Sequence, residues 1–130
     1  MASKFTELTV DCKDPRPLAD FWCAVLGYRI VDEDSDGVEI AAWDTQATRS
    51  QAGPLPPTLL FIRVPEGKTV KNRLHIDVNP TDRDRDDEVE RLLALGASRA
   101  DVGQGPDVSW VVLADPEGNE FCVLQGRVVG

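Results

Sequence analysis

Residues 5–27 read FTELTVDCKDPRPLADFWCAVLG, and residues 73–96 read RLHIDVNPTDRDRDDEVERLLALG. Both open on alternation. In the first, Leu8, Val10 and Cys12 alternate with Glu7, Thr9 and Asp11; in the second, Leu74, Ile76 and Val78 alternate with His75 and Asp77. A period of two belongs to a half-buried strand, so 5–12 and 73–79 are expected as strands with one apolar and one polar face. Both stretches then change to a helical period. Asp14 and Pro15 suit an N-cap and first helical position, Leu18, Phe21, Trp22, Val25 and Leu26 recur on one face, and Gly27 stops the helix. In the second stretch Thr81 is the expected N-cap, and Asp82, Asp84, Asp86 and Asp87 lie near the positive helix end. Val89, Leu92 and Leu93 form its stripe and Gly96 its stop. Glu7 to Gly27 is 20 positions and His75 to Gly96 is 21, so the pattern repeats.

Each strand–helix pair is followed by three more predicted strands. After the first come Tyr28–Val31, Val38–Trp43 and Thr58–Val64, with turn residues at Asp34–Gly37 and a polar, then Gly/Pro-rich loop at 44–57. After the second come Ser98–Val102, Val108–Ala114 and Asn119–Gln125, with Asp115-Pro116-Glu117-Gly118 as a turn. The expected fold class is α+β: a single domain over 1–130 made of two βαβββ modules, 5–64 and 73–125, joined by the polar stretch PEGKTVKN (65–72). A module of about 65 residues buries little alone, so the modules should pack together or across a dimer.

Composition narrows the function classes. Lys and Arg number 14 against 23 Asp and Glu, a net charge of −9, which argues against nucleic acid and against an anionic membrane surface. No apolar run approaches the length of a membrane span, and the first twelve residues carry no signal-peptide core, so a cytoplasmic location is expected. Cys12, Cys23 and Cys122 are odd in number, lack a CxxC spacing and lie in apolar segments; buried, reduced thiols are expected. His75 is the single histidine, which rules out a His-rich metal site from one chain and a zinc finger. GQG at 103–105 lacks the rest of a phosphate loop, and Ser109 has no triad context. The run DRDRDDEVE (82–90) reads as a solvated helix face.

Three motifs in order, DFWCAVLGY (20–28), RLHIDV (73–78) and ADPEGNEFCVL (114–124), resemble the vicinal oxygen chelate superfamily of glyoxalase I, bleomycin-resistance proteins, fosfomycin-resistance enzymes and extradiol dioxygenases. The resemblance implies that the paired modules curl into a half-barrel cup. It also implies that metal-dependent members carry ligands on the first and last strand of each module. Those positions fall here on Glu7 and His75 for the first strands. The last-strand position, usually a Glu seven residues after the Asp of the turn, falls on Cys122, and its counterpart lies in the apolar Leu60-Phe61-Ile62. With so few donors, no tightly bound catalytic metal and no cofactor are expected.

The candidate ligand-binding residues are Glu7, Trp43, His75, Asp77, Trp110 and Cys122. His75 is the natural proton carrier, Asp77 can orient its ring, and Glu7 can anchor a cation or act as a base. Strand tryptophans Trp43 and Trp110 offer an aromatic wall, whereas Trp22 belongs to the core. The expected function is binding of a small organic molecule, possible cationic aromatics included, without a metal. The alternative is a glyoxalase-like lyase, isomerase or dioxygenase using Glu7 and His75, with or without a divalent metal, and a third reading is a plain partner-binding module. The resemblance also implies a homodimer.

Overall fold

The structure, a computed structural model, describes residues 2–43, 52–101 and 108–130. Residues 44–51, which hold most of the predicted 44–57 loop, lie outside the described residues, as do Val102 and the GQG of 103–105. The chain divides into two compact units, Met1–Gly67 and Lys68–Gly130, within the polar stretch expected to join the modules.

The first unit contains β1 (Glu7–Cys12), α1 (Pro15–Leu26), β2 (Arg29–Glu33), β3 (Gly37–Ala41) and β4 (Thr58–Arg63). Its open sheet has the order β1-β4-β3-β2, with β1 and β4 parallel and the other pairs antiparallel. Helix α1 begins with Pro15 at its first turn and ends at Gly27, whose φ of 71° lets its N–H close back on the Cys23 carbonyl. Of the predicted stripe Leu18, Phe21 and Trp22 are buried and Val25 and Leu26 half-buried, with Ala19 buried beside them; the helix packs on β3 and β4, where Val38, Ile40, Leu59 and Phe61 are buried. Gly37 is required for close approach, because a Cβ there would lie 2.6 Å from the Phe61 carbonyl oxygen.

The second unit contains β5 (Asp77–Val78), α2 (Arg85–Leu95), β6 (Ser98–Arg99), β7 (Val111–Ala114) and β8 (Glu120–Val123). Its sheet order β5-β8-β7-β6 repeats that of the first, again with the opening and closing strands parallel. Both sheets are mixed and both units are strand–helix–three strands, so the α+β class and the repeated order stand.

Three local expectations are corrected. The opening strand of the second unit is two residues long, not 73–79, and Leu74 is 83% exposed instead of sharing a buried face with Ile76 and Val78. Upstream of β5 the backbone ladder gives way to a side chain: the Glu120 carboxylate accepts from the Asn72 N–H at 3.1 Å. The second helix is capped by Asp84, whose carboxylate accepts from the Asp87 N–H at 2.9 Å, and not by Thr81. Cys12 and Cys122 are buried thiols outside any disulfide, as expected, but Cys23 is half-buried.

Candidate functional site

A cavity of about 410 Å³ lies in the second unit, with His75, Asp77, Trp110, Glu120 and Cys122 in its lining together with Lys71, Val112 and Leu124. The turn Asp115–Asn119 leads into β8, whose Glu120 and Cys122 line the cavity. The buried Asp115 carboxylate accepts from the backbone N–H groups of Glu117 and Asn119, both at 2.9 Å, and from the Asn119 side chain. Gly118, at φ 87°, completes the turn. This clasp pairs Ala114 with Glu120, and the register it sets pairs Val112 with Cys122. On its other side Cys122 pairs with Asp77. The DPEGN motif is therefore structural, and its consequence is the position of Cys122.

His75 and Asp77, two residues apart, lie on the polar side that their alternation predicted. The His75 Nδ1 lies 3.2 Å from Asp77 Oδ1, the hydrogen bond that would fix the ring's orientation. Cys122 Sγ lies 3.8 Å from the same Nδ1. Imidazole, carboxylate and thiol thus converge, with one ligand-type atom of each within 4.8 Å of the others. Among the described residues this is the one group of three or more such side chains. Burial pushes the Cys122 thiol pKa up, and the Asp77 carboxylate raises it further, so the thiol is held protonated.

Glu120 faces the cavity but is engaged. Lys68 Nζ donates to its Oε2 at 3.0 Å, and this ion pair is largely shielded from solvent. Burial alone would raise the Glu120 pKa; the lysine and the Asn72 N–H outweigh it and hold the carboxylate below its ordinary value. Lys68, Lys71 and Glu120 were not singled out from sequence. Two of them belong to the stretch read as a linker, and nothing local signals that a linker lysine meets a strand carboxylate 52 positions on.

The candidates divide between the units. His75, Asp77, Trp110 and Cys122 are gathered around this cavity. Glu7 belongs to the first unit, where it accepts a hydrogen bond from the Thr58 hydroxyl at 3.2 Å. Trp43, also in the first unit, is 47% exposed, and neither it nor Glu7 lines this cavity. The β1–β4 register places Leu60 opposite Thr9, as Cys122 stands opposite Asp77, so the first unit's closing strand offers no donor at the matching place.

No helix among the described residues is long and apolar enough to cross a membrane. No curated protein matches the chain. Solved structures do. A glyoxalase/bleomycin resistance protein/dioxygenase family enzyme from Burkholderia phytofirmans PsJN is 17% identical, with 93% of this chain and 97% of that chain covered and a TM-score of 0.64. The fosfomycin resistance protein FosX from Mesorhizobium loti is 16% identical over 98% and 95% of the two chains, at a TM-score of 0.66. FosX from Listeria monocytogenes, complexed with Mn(II) and sulfate, is 17% identical over 98% and 94%, at 0.69. At these identities the likeness is one of fold. The family model described as "Glyoxalase-like domain" matches residues 7–124, nearly the whole of both modules, and the chain belongs to that family.

Proposed function

We propose that the chain binds a small organic molecule in the cavity of the second unit through its own side chains. The observation that carries this reading is the cavity itself, with an apolar wall from Trp110, Val112 and Leu124 and a polar end at His75 and Asp77. A pocket with a mostly apolar lining and a few convergent polar groups is the ordinary form of a small-molecule site. Because Glu120 is held by Lys68, Asp77 is the carboxylate best placed to meet a ligand's charge. The preferred ligand is an aromatic or largely apolar molecule with a cationic group. Such a ligand also suits a chain of net charge −9.

The Mn(II) of the Listeria FosX structure does not suit these residues. Manganese favours carboxylate, carbonyl and water oxygens, whereas a thiol closes the cluster here. Ligand binding in this reading therefore uses no hard divalent ion. A calorimetric or thermal-shift screen of cationic aromatic metabolites and antibiotics tests it. Hits should lose roughly 1–3 kcal/mol on Asp77→Asn, the scale of a charge-assisted hydrogen bond. They should weaken on His75→Ala as well. Hits indifferent to both substitutions would place binding elsewhere. The same screen on Glu7→Gln tests the separate expectation, drawn from strand phase, that Glu7 meets the ligand.

A second reading, proton transfer at a bound substrate by His75, is favoured by the 3.2 Å bond from Asp77. A carboxylate at one ring nitrogen fixes the tautomer and orientation of a general base. His75→Asn would then leave binding in place and abolish turnover. We also propose a homodimer, since both sheets are open and leave edge strands to be covered. Sedimentation showing a stable monomer at micromolar concentration would remove it.

A further inference from the structure

We propose that Lys71 makes the cavity of the second unit selective for amphoteric aromatic molecules, which carry an anionic group as well as the cationic group that Asp77 would meet. This rests on the ligand-binding reading above and names the class of ligand. The charges around the cavity carry it. The lining holds one lysine, Lys71, and two carboxylates, Asp77 and Glu120. Glu120 is already matched, because Lys68 Nζ donates to its Oε2 at 3.0 Å. Lys71 Nζ donates to the Asn72 carbonyl at 3.2 Å, a neutral acceptor that leaves the lysine's charge uncancelled. An ammonium has three donors, so that bond does not use it up. With the His75 imidazole neutral, one cation, Lys71, and one anion, Asp77, remain for a ligand to meet. Both act on the same thiol: burial raises the Cys122 pKa most, the Asp77 carboxylate adds to the rise, and the Lys71 ammonium opposes it.

The chain holds Lys71 at the cavity through its neighbours. The Asn72 N–H donates to the Glu120 carboxylate at 3.1 Å, while the Asn72 carbonyl accepts from Lys71. Lys68 is tied to the same carboxylate. The stretch read from sequence as a linker is thus fastened to β8 on either side of Val70, and Glu120 is a positioning residue for Lys71. A purely cationic ligand would meet Asp77 but bring a like charge near Lys71. A purely anionic one would meet Lys71 and face Asp77. A ligand with both groups matches both side chains, and its apolar body has Trp110, Val112 and Leu124 to lie against. The net charge of −9 draws cations toward the molecule from a distance, but discrimination is set at contact.

The test is calorimetric titration of the full chain, at low ionic strength, with two matched sets of probes. Tryptophan, tryptamine and indole-3-propionate present both charges, the cation alone and the anion alone on one ring. The set 4-(aminomethyl)benzoate, 4-methylbenzylamine and 4-methylbenzoate does the same with the charges farther apart. In at least one set the amphoteric probe should bind about fivefold or more tighter than its cationic partner, the upper scale for one partly exposed ion pair. Lys71→Met, which keeps an unbranched stem on an exposed side chain, should erase that advantage, and Lys71→Arg should keep it. Glu120→Gln frees Lys68 and should tighten binding of the anionic probes severalfold, a gain that a merely structural role for Glu120 would not produce. Cationic probes that bind as tightly as amphoteric ones in both sets, an advantage that survives Lys71→Met, or anionic probes that weaken in Glu120→Gln would each overturn the proposal. If cationic probes bind without that advantage yet weaken on Asp77→Asn, this inference fails while the ligand-binding reading stands. If none of the six binds, this inference fails too, and the wider screen of cationic aromatics decides the reading beneath it.

Discussion

The two units share one strand order and differ in how far the opening strand pairs with the closing one. In the first, six residues of β1 pair with six of β4; in the second, two residues of β5 pair with two of β8. Where the first unit continues its ladder through Glu7 and Leu8, the second releases the backbone and hands the Asn72 N–H to the Glu120 side chain. The closing strands differ too. TLLFIR of β4 offers Leu60 at the place where EFCV of β8 offers Cys122. The same topology thus yields an apolar closing strand in one unit and a cavity with converging polar groups in the other. The cluster gathers beside the short ladder, with Asp77 and Cys122 as one of its two pairs and His75 just upstream of it.

The sharpest way to break this contrast is truncation of the two closing strands. Phe61 is fully buried, and Phe61→Ala should cost about 3–5 kcal/mol by urea unfolding, the range for an aromatic removed from a close-packed core. Cys122→Ala borders an existing cavity and should cost about 1 kcal/mol, since little new void is created. Equal costs would mean that the second unit is packed as tightly as the first.

The helices give a smaller effect. Asp84 caps α2 through its side chain, so Asp84→Ala should cost about 1 kcal/mol. Asp14 occupies the same position on α1 without a side-chain cap bond, and Asp14→Ala should cost less. Chemical denaturation of the two variants reads the difference directly.

The smallest effect reports on the first unit alone. Tyr28 is the single tyrosine; its hydroxyl donates to the Pro57 carbonyl at 3.1 Å, and burial pushes its pKa up. An ultraviolet absorbance titration should place its ionisation above the ordinary value of about 10. The folded state holds this proton more tightly than the unfolded chain. Its contribution to stability is therefore complete below the unfolded pKa and is lost as pH rises through the folded one. An ordinary tyrosine titration would mean that the 28–57 contact is open to water.

Much of the fold is legible in the sequence because its signals are local. The α1 stripe, the Gly27 and Gly96 stops and the DPEGN turn each depend on residues a few positions apart. The His75–Asp77 pair is legible for the same reason, since alternation alone puts both side chains on one face. Counting seven residues from Asp115 finds Cys122, but that count carries no distance. Only the β5–β8 register brings the thiol to Asp77 and turns a poor set of donors into a three-atom cluster. The shortening of β5 was hidden as well. Leu74 continues a regular alternation, yet the strand spans only Asp77–Val78, and upstream the Asn72 N–H donates to the Glu120 carboxylate, a partner 48 positions away that no local pattern signals.

The parallel closure described for both sheets also bears on the order of folding. Hairpins such as β3–β4 and β7–β8 can form from neighbouring strands, but neither opening strand can find its partner until the whole unit is present. Glu7 and Thr58 are 51 positions apart, and His75 and Cys122 are 47. Closing a chain of that length costs little more than closing a shorter one at equilibrium, but non-local pairing slows the search. The topology predicts docking of the first strand against a preformed meander as the late event in each unit, checked by pulsed hydrogen exchange of the β1 and β5 amides. For the second unit that event joins only two residue pairs, so the cluster of His75, Asp77 and Cys122 would be the last part of the unit to assemble and the first to open.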